Sequence, residues 1–260
     1  MICTLCPRRC GAERNEKEGN GFCRMGTQAV VARVAPHMWE EPCISGTRGS
    51  STVFFSGCPL GCAYCQNHSI SHERQGRRVT DAELADLIRA LEAKGVHNIS
   101  FVTGTHFVPA ILNALNIYRP SVPVVWNTGG YETVDTLRLL EGWVQIYLPD
   151  LKHVSPRLGR VLCGAPDYFD CASQARSAAS RAAAAASWKA VPGRMGRSNS
   201  SVPCLRAWIT WWRHQSSVSV LSSMDREKMM FSYSMGPSGA PSMACSSPGS
   251  TGTMQPASTG

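Results

Sequence analysis

Apolar and polar positions follow two rhythms over the first two thirds of the chain. Four short runs rich in β-branched and aromatic residues, Thr52 to Ser56, Ile99 to Thr103, Val122 to Asn127 and Val144 to Leu148, are bounded by turn-forming residues. Continuous apolar runs of this length predict strands buried on both faces. Between the first two, Thr80 and Glu83 have the spacing of a capping box, and Leu84, Leu87, Ile88 and Leu91 follow on one helical stripe. Further helices are predicted at Val108 to Tyr118 and Val134 to Glu141. Strands alternating with helices predict a parallel α/β fold, whose ligands bind at the C-terminal ends of the strands.

The alternation stops near Asp150. From Gln174 onward, 19 of 87 residues are Ser, an Ala run covers Ala182 to Ala186, and 7 of the chain's 10 Met residues occur. Trp208, Trp211 and Trp212 sit together without either period. Three segments are therefore expected: a Cys-rich N-terminal segment (1–45), an α/β core (46–173) and a Ser/Ala-rich tail (174–260). A shifted reading frame or a truncation replaces patterned by unpatterned sequence at such a sharp point, and a genuinely disordered tail is the alternative. Four strands alone would leave an incomplete sheet with an open apolar edge.

Charge sharpens that division. The formal net charge of +8 is the sum of +1 over residues 1–173, from 17 Lys and Arg against 16 Asp and Glu, and +7 over residues 174–260, from 9 against 2. The tail's basic residues stand singly among Ser, Ala, Gly and Pro, which argues against a nucleic-acid patch. No run of about 18 apolar residues offers a membrane span, and the start lacks the apolar core of a signal peptide. The expectation is a cytoplasmic chain that binds neither nucleic acid nor membrane.

Twelve cysteines are too many for a reduced chain unless several are ligands. Cys58, Cys62 and Cys65 place three thiols in eight residues directly after the first predicted strand. Three thiolates suit a four-iron four-sulfur (4Fe-4S) cluster better than structural zinc, which takes a closed set of four. The remaining iron is then open to the amino and carboxylate groups of S-adenosylmethionine. Cys3, Cys6, Cys10 and Cys23, spaced Cys-x2-Cys-x3-Cys-x12-Cys, supply four more thiols, for zinc or a second iron-sulfur cluster. A disulfide reading needs an oxidising compartment that nothing else in the sequence supports. Cys43, Cys163, Cys171, Cys204 and Cys245 have no ligand-like spacing and receive no role.

The Cys58 segment, with a strand before it and the aromatic Tyr64 before its last cysteine, resembles the radical S-adenosylmethionine (radical SAM) superfamily. His37 to Gly46, Asn127-Thr-Gly-Gly-Tyr-Glu132 and Tyr147-Leu-Pro-Asp-Leu-Lys152 make it similar to proteins related to pyruvate formate-lyase activating enzyme. The resemblance covers residues 1 to about 173 and implies a partial (β/α)6 barrel, with Cys58, Cys62 and Cys65 holding the 4Fe-4S cluster. Carried over residue by residue, Tyr64 lies near the adenine, Asn127 and Thr128 offer polar contacts to the cofactor, and Lys152, beside Asp150, offers a charge to the methionyl carboxylate. Relatives often carry Gly-Gly-Glu where this chain has Thr103-Gly104-Thr105-His106, which puts the usual amine contact in doubt; His106 either acts on substrate or, the favoured reading, caps the following helix.

The implied activity is that of an oxidoreductase that cleaves S-adenosylmethionine reductively to a 5′-deoxyadenosyl radical and activates a glycyl-radical protein. A flavodoxin or ferredoxin would supply the electron. The alternatives are an iron-sulfur or zinc-binding electron-transfer module and an inactive product with an incomplete barrel. No catalytic side chain is assigned.

Overall fold

The four apolar runs become neighbouring parallel strands. In the computed structural model, which describes residues 2–185, the chain runs through β1 (Val30–His37), α1 (Pro42–Ser45), β2 (Ser50–Phe55), α2 (His68–Ser71), β3 (Arg77–Arg78) and α3 (Asp81–Glu92). It continues through β4 (Ile99–Val102), a 3-10 turn (Thr105–Phe107), α4 (Val108–Ile117), β5 (Val124–Thr128), α5 (Val134–Leu139), β6 (Ile146–Pro149), α6 (Pro156–Cys163) and α7 (Tyr168–Ala185). The sheet order is β3-β1-β2-β4-β5-β6. β2, β4, β5 and β6 are mutually parallel, with Ser51 opposite Ile99, Ile99 opposite Val124 and Val125 opposite Ile146. β1 runs antiparallel to both β2 and β3.

Alternation along each strand divides the sheet's two faces. Val53, Phe55, Ile99, Phe101, Val124 and Trp126 enter the main core, with Leu84, Ile88 and Leu91 of α3 and Ile111, Ala114 and Leu115 of α4. The other face is used by Val125 and Ile146, which pack with Ile44 of α1. Asn98 ties α1 down by donating to the Ile44 carbonyl (2.8 Å). α3 starts at the predicted capping box: the Glu83 N–H donates to Thr80 Oγ1 (3.2 Å) and the Thr80 N–H to Glu83 Oε2 (2.7 Å). That closes two otherwise open donors of the first turn.

Two strands beyond the expected four extend the sheet. β1 has only its first two residues buried and carries Arg33, Pro36 and His37, so no clean period marks it; β3 is two exposed arginines. Together they cover the β2 edge that four strands alone would leave open. At the opposite edge β6 pairs only with β5 among the described residues, and the sheet is not closed into a barrel there.

α7 crosses the boundary expected at residue 173 and continues to Ala185. Its buried stripe is Ala172, Ala175, Ala178, Ala179 and Ala182, a helical period written in a residue too small to stand out in a hydrophobicity pattern. Readings of residues 186–260, including the disordered or frameshifted tail and the tryptophan group, lie outside the described residues. None of the described helices is long and apolar enough to cross a membrane.

Residues 2–26 are built differently. They form no helix or regular strand, only the isolated bridges Ile2–Glu13, Arg14–Gly19 and Glu18–Met25.

Candidate cofactor site at the strand tops

The loop leaving β2 carries Cys58, Cys62 and Cys65 past the C-terminal ends of the parallel strands, where α/β folds bind ligands. Cys62 is buried and the other two are half-buried, and all three pack in one cluster with Leu60, Tyr131, Cys163 and Tyr168. Two of the thiols already accept hydrogen bonds, Cys58 from the Leu60 N–H and Cys65 from the Ser71 hydroxyl, each at 3.3 Å. Burial pushes the Cys58 thiol up, against the Gly61 and Leu60 amides that favour its charged form. It pushes Cys62 up to about 12, with the Cys163 thiol acting in the same direction. Buried thiols of this kind give up their protons readily only to a bound metal.

The loop after β6 places a cation beside them. Lys152 Nζ pairs with Asp150 at 2.6 Å. Burial pulls the Lys152 pKa down, but Asp150 and the Cys62 and Cys58 thiols outweigh it, so the ammonium is held above its usual range. The Gly129–Gly130 turn after β5 lets this loop approach. Gly130 is left-handed (φ 80°), and a Cβ there would lie 2.3 Å from the Asp150 carbonyl oxygen, so only glycine fits.

The other sequence-assigned residues take different partners. Tyr64 is half exposed, and its hydroxyl hydrogen-bonds His153 Nε2 at 2.8 Å. Asn127, near the end of β5, donates to the Glu40 carboxylate (3.4 and 3.5 Å). Burial and the neighbouring Glu41 push Glu40 above the usual carboxylate range. Thr128 turns away from that edge and donates to the fully buried Glu132, which also takes bonds from Thr105 and Trp126.

His106 is not a helix cap. No side chain caps the turn or α4; His106 is buried beneath the cysteine loop and donates through Nε2 to the Ser56 carbonyl (2.8 Å). Desolvation lowers its pKa to about 4, so the ring is neutral. Thr103, which opens the stretch that departs from the expected Gly-Gly-Glu, is left-handed (φ 59°). A β-branched residue is strained in that conformation. The turn thus keeps a glycine-type backbone without a glycine.

Among known proteins, the chain matches the family model for the radical SAM superfamily over residues 52–181. The chain belongs to the radical SAM superfamily. It is also 32% identical over 177 residues to an uncharacterized protein of Methanocaldococcus jannaschii, an alignment covering 65% of this chain and 50% of that protein. The chain therefore spans about half the length of this curated relative. Radical SAM proteins generally use a 4Fe-4S cluster and S-adenosylmethionine. The residues here fit that pair in chemistry, with three thiols on one loop, hydrogen-bond donors on two of them and an ammonium beside the thiols. No three Cys, His, Asp or Glu side chains among the described residues are drawn together as a ready-made metal cage.

The fold also brings in residues the sequence reading left without a role. Cys163, in the last turn of α6, lies 3.4 Å from Cys62, sulfur to sulfur, and 3.6 Å from His153 Nε2. These contacts span 101 and 10 residues, and no local spacing announces them. Glu40 was within reach, since it stands inside the His37 to Gly46 segment that carried the resemblance. Arg8 has no catalytic signature, yet it donates to the carbonyls of Pro59 (2.8 Å), Leu60 (3.0 Å), Cys163 (2.6 Å) and Gly164 (2.5 Å). It thereby ties the N-terminal segment to the cysteine loop and to the end of α6.

Proposed function

We propose that this chain is a radical SAM enzyme of the kind related to pyruvate formate-lyase activating enzyme, with Cys58, Cys62 and Cys65 as the ligands of its 4Fe-4S cluster. The observation that carries the reading is the position of the three-thiol loop at the top of β2, with Lys152 beside it. When bound, the cluster and S-adenosylmethionine supply one-electron reductive cleavage and a carbon radical able to abstract hydrogen.

Each nearby group has work that follows from its chemistry. Lys152, held charged by Asp150, suits a carboxylate at the thiol loop as a point charge. Asn127 and Glu40 offer an amide and a carboxyl at the β5 end for polar groups of the cofactor or substrate. Tyr64, positioned through His153, lays an aromatic ring beside Cys62, where a flat heterocycle can stack. The Glu132 network fixes the β4 and β5 ends from below rather than reaching the ligand, because its hydroxyl and indole donors are turned inward. Leu60, Tyr131 and Tyr168 line the thiols with apolar and aromatic surface and limit access of water. A glycyl-radical protein as substrate and a flavodoxin or ferredoxin as electron donor complete the reading.

The test is to reconstitute the full chain anaerobically with iron and sulfide, reduce it, and record its electron paramagnetic resonance spectrum before and after adding S-adenosylmethionine. A shift in the parent that Cys62→Ala lacks is the expected result. A cluster signal indifferent to the cofactor favours an electron-transfer module instead. Failure to assemble any cluster overturns the assignment of the three ligands.

A further inference from the structure

The N-terminal segment places four thiols around one small cavity, with little apolar core of its own. Cys3, Cys6, Cys10 and Cys23 all line one cavity of about 10 Å³, together with Leu5, Ala12 and Arg14. All four are free thiols. Among the described residues, the apolar cluster confined to the segment is Cys3, Leu5 and Ala12. Met25 joins the main core and Thr136 donates to the Leu5 carbonyl (2.7 Å), but the segment has little apolar core of its own, and small units of that kind are usually completed by a metal or a disulfide.

We propose that Cys3, Cys6, Cys10 and Cys23 bind a single Zn²⁺ ion whose role is structural. A closed set of four thiolates is the usual ligand set of structural zinc. The cavity has room for about one water-sized occupant, enough for a single ion. Gly21 is part of the construction: a Cβ there would lie 2.7 Å from Cys10 Sγ and 2.6 Å from Ala12 Cβ. A side chain at residue 21 would therefore crowd Ala12 and push the exposed Cys10 thiol from its place at the cavity. The thiols are not drawn in to a ready-made cage, and neither are Cys58, Cys62 and Cys65; side-chain rotation accompanies binding at both. Each ligand gives its thiol proton to water, and no oxidation state changes.

The position of Arg8 gives the ion a purpose. Arg8 lies between two of the proposed ligands, Cys6 and Cys10, and its guanidinium stacks on Phe22 (3.8 Å to the ring centroid), the neighbour of a third, Cys23. The same guanidinium holds the carbonyls of Pro59 and Leu60 in the Cys58–Cys65 loop. Zinc would thus fix the base from which Arg8 clamps that loop.

The test compares metal content in full-length chains expressed with both zinc and iron available and purified anaerobically with reductant. The parent and a Cys58→Ser/Cys62→Ser/Cys65→Ser variant should each carry about one zinc per chain, and a Cys6→Ser/Cys23→Ser variant almost none. Cobalt(II) replacing the zinc should give thiolate charge-transfer bands in the first two proteins. Gly21→Ala should lower the zinc content while leaving every ligand in place. Should the double variant fail to fold, the triple variant still decides. Absence of zinc from it overturns the proposal, as does iron in place of zinc, or a disulfide among the four cysteines. Because the triple variant lacks the cluster ligands, this result stands apart from the radical SAM reading.

Discussion

The sheet and the N-terminal segment are held together by different physics, and the cysteine loop is anchored on both. In the sheet, Val53, Ile99, Phe101 and Trp126 are completely removed from water, and burial at about 25 cal/mol per Å² of apolar surface dominates. In residues 2–26 the work passes to polar staples. Arg14 donates to the carbonyls of Met25 and Gly26, and Asn15 Oδ1 accepts from the Lys17 and Glu18 amides (2.8 Å each). The loop from Gly57 to Cys65 leaves β2 at one end and is gripped by Arg8 in the middle. A loop so placed can be loosened from the N-terminal side without damage to the sheet.

The largest effect should come from the sheet itself. Phe101→Ala removes a fully buried ring that packs on Phe55 (centroids 6.0 Å apart) and should cost about 3–5 kcal/mol in a urea titration. A loss below about 1 kcal/mol would mean that the sheet is not the main store of stability.

Arg8→Ala should cost less, about 2 kcal/mol, because four carbonyls lose a charged donor at a partly solvated site. Its signature is regional. Amide hydrogens of residues 58–65 should exchange faster while those of β4 and β5 keep their protection. Equal acceleration in both regions would erase the distinction between them.

The smallest effect has the opposite sign. Thr103→Gly relieves a left-handed β-branched residue and should stabilise the chain by about 1 kcal/mol, read as a rise in the denaturation midpoint. Destabilisation would show that contacts of the Thr103 side chain outweigh its backbone strain.

How much of this was legible varies by element. α3 could be read in full, because its cap and apolar stripe lie within one short stretch of sequence. The four parallel strands were placed to within about two residues at each end, since a strand buried on both faces is written as an uninterrupted apolar run. β1 gave no such signal, because most of its residues are partly exposed and its neighbours in the sheet decide its conformation. α6 and α7, which continue past the stop expected near Asp150, were both missed, α7 because its buried stripe is alanine. At the site, the three-thiol loop was plain from spacing, whereas Glu40 meeting Asn127 across 87 residues was not.

Sequence by itself determined the local facts: where strand and helix periods run, where α3 begins, and that three thiols share one loop and four more share the N-terminal segment. These depend on neighbours a few residues apart, so the order of residues is enough. Tertiary structure alone decided which groups meet. It set Cys163 against Cys62, turned Thr128 inward to Glu132, brought Lys152 up beside the thiols and stretched Arg8 to carbonyls as far as 156 residues away. Such meetings follow from how the sheet stacks its strands and how its loops cross the strand tops, and packing of that range leaves no period in the chain.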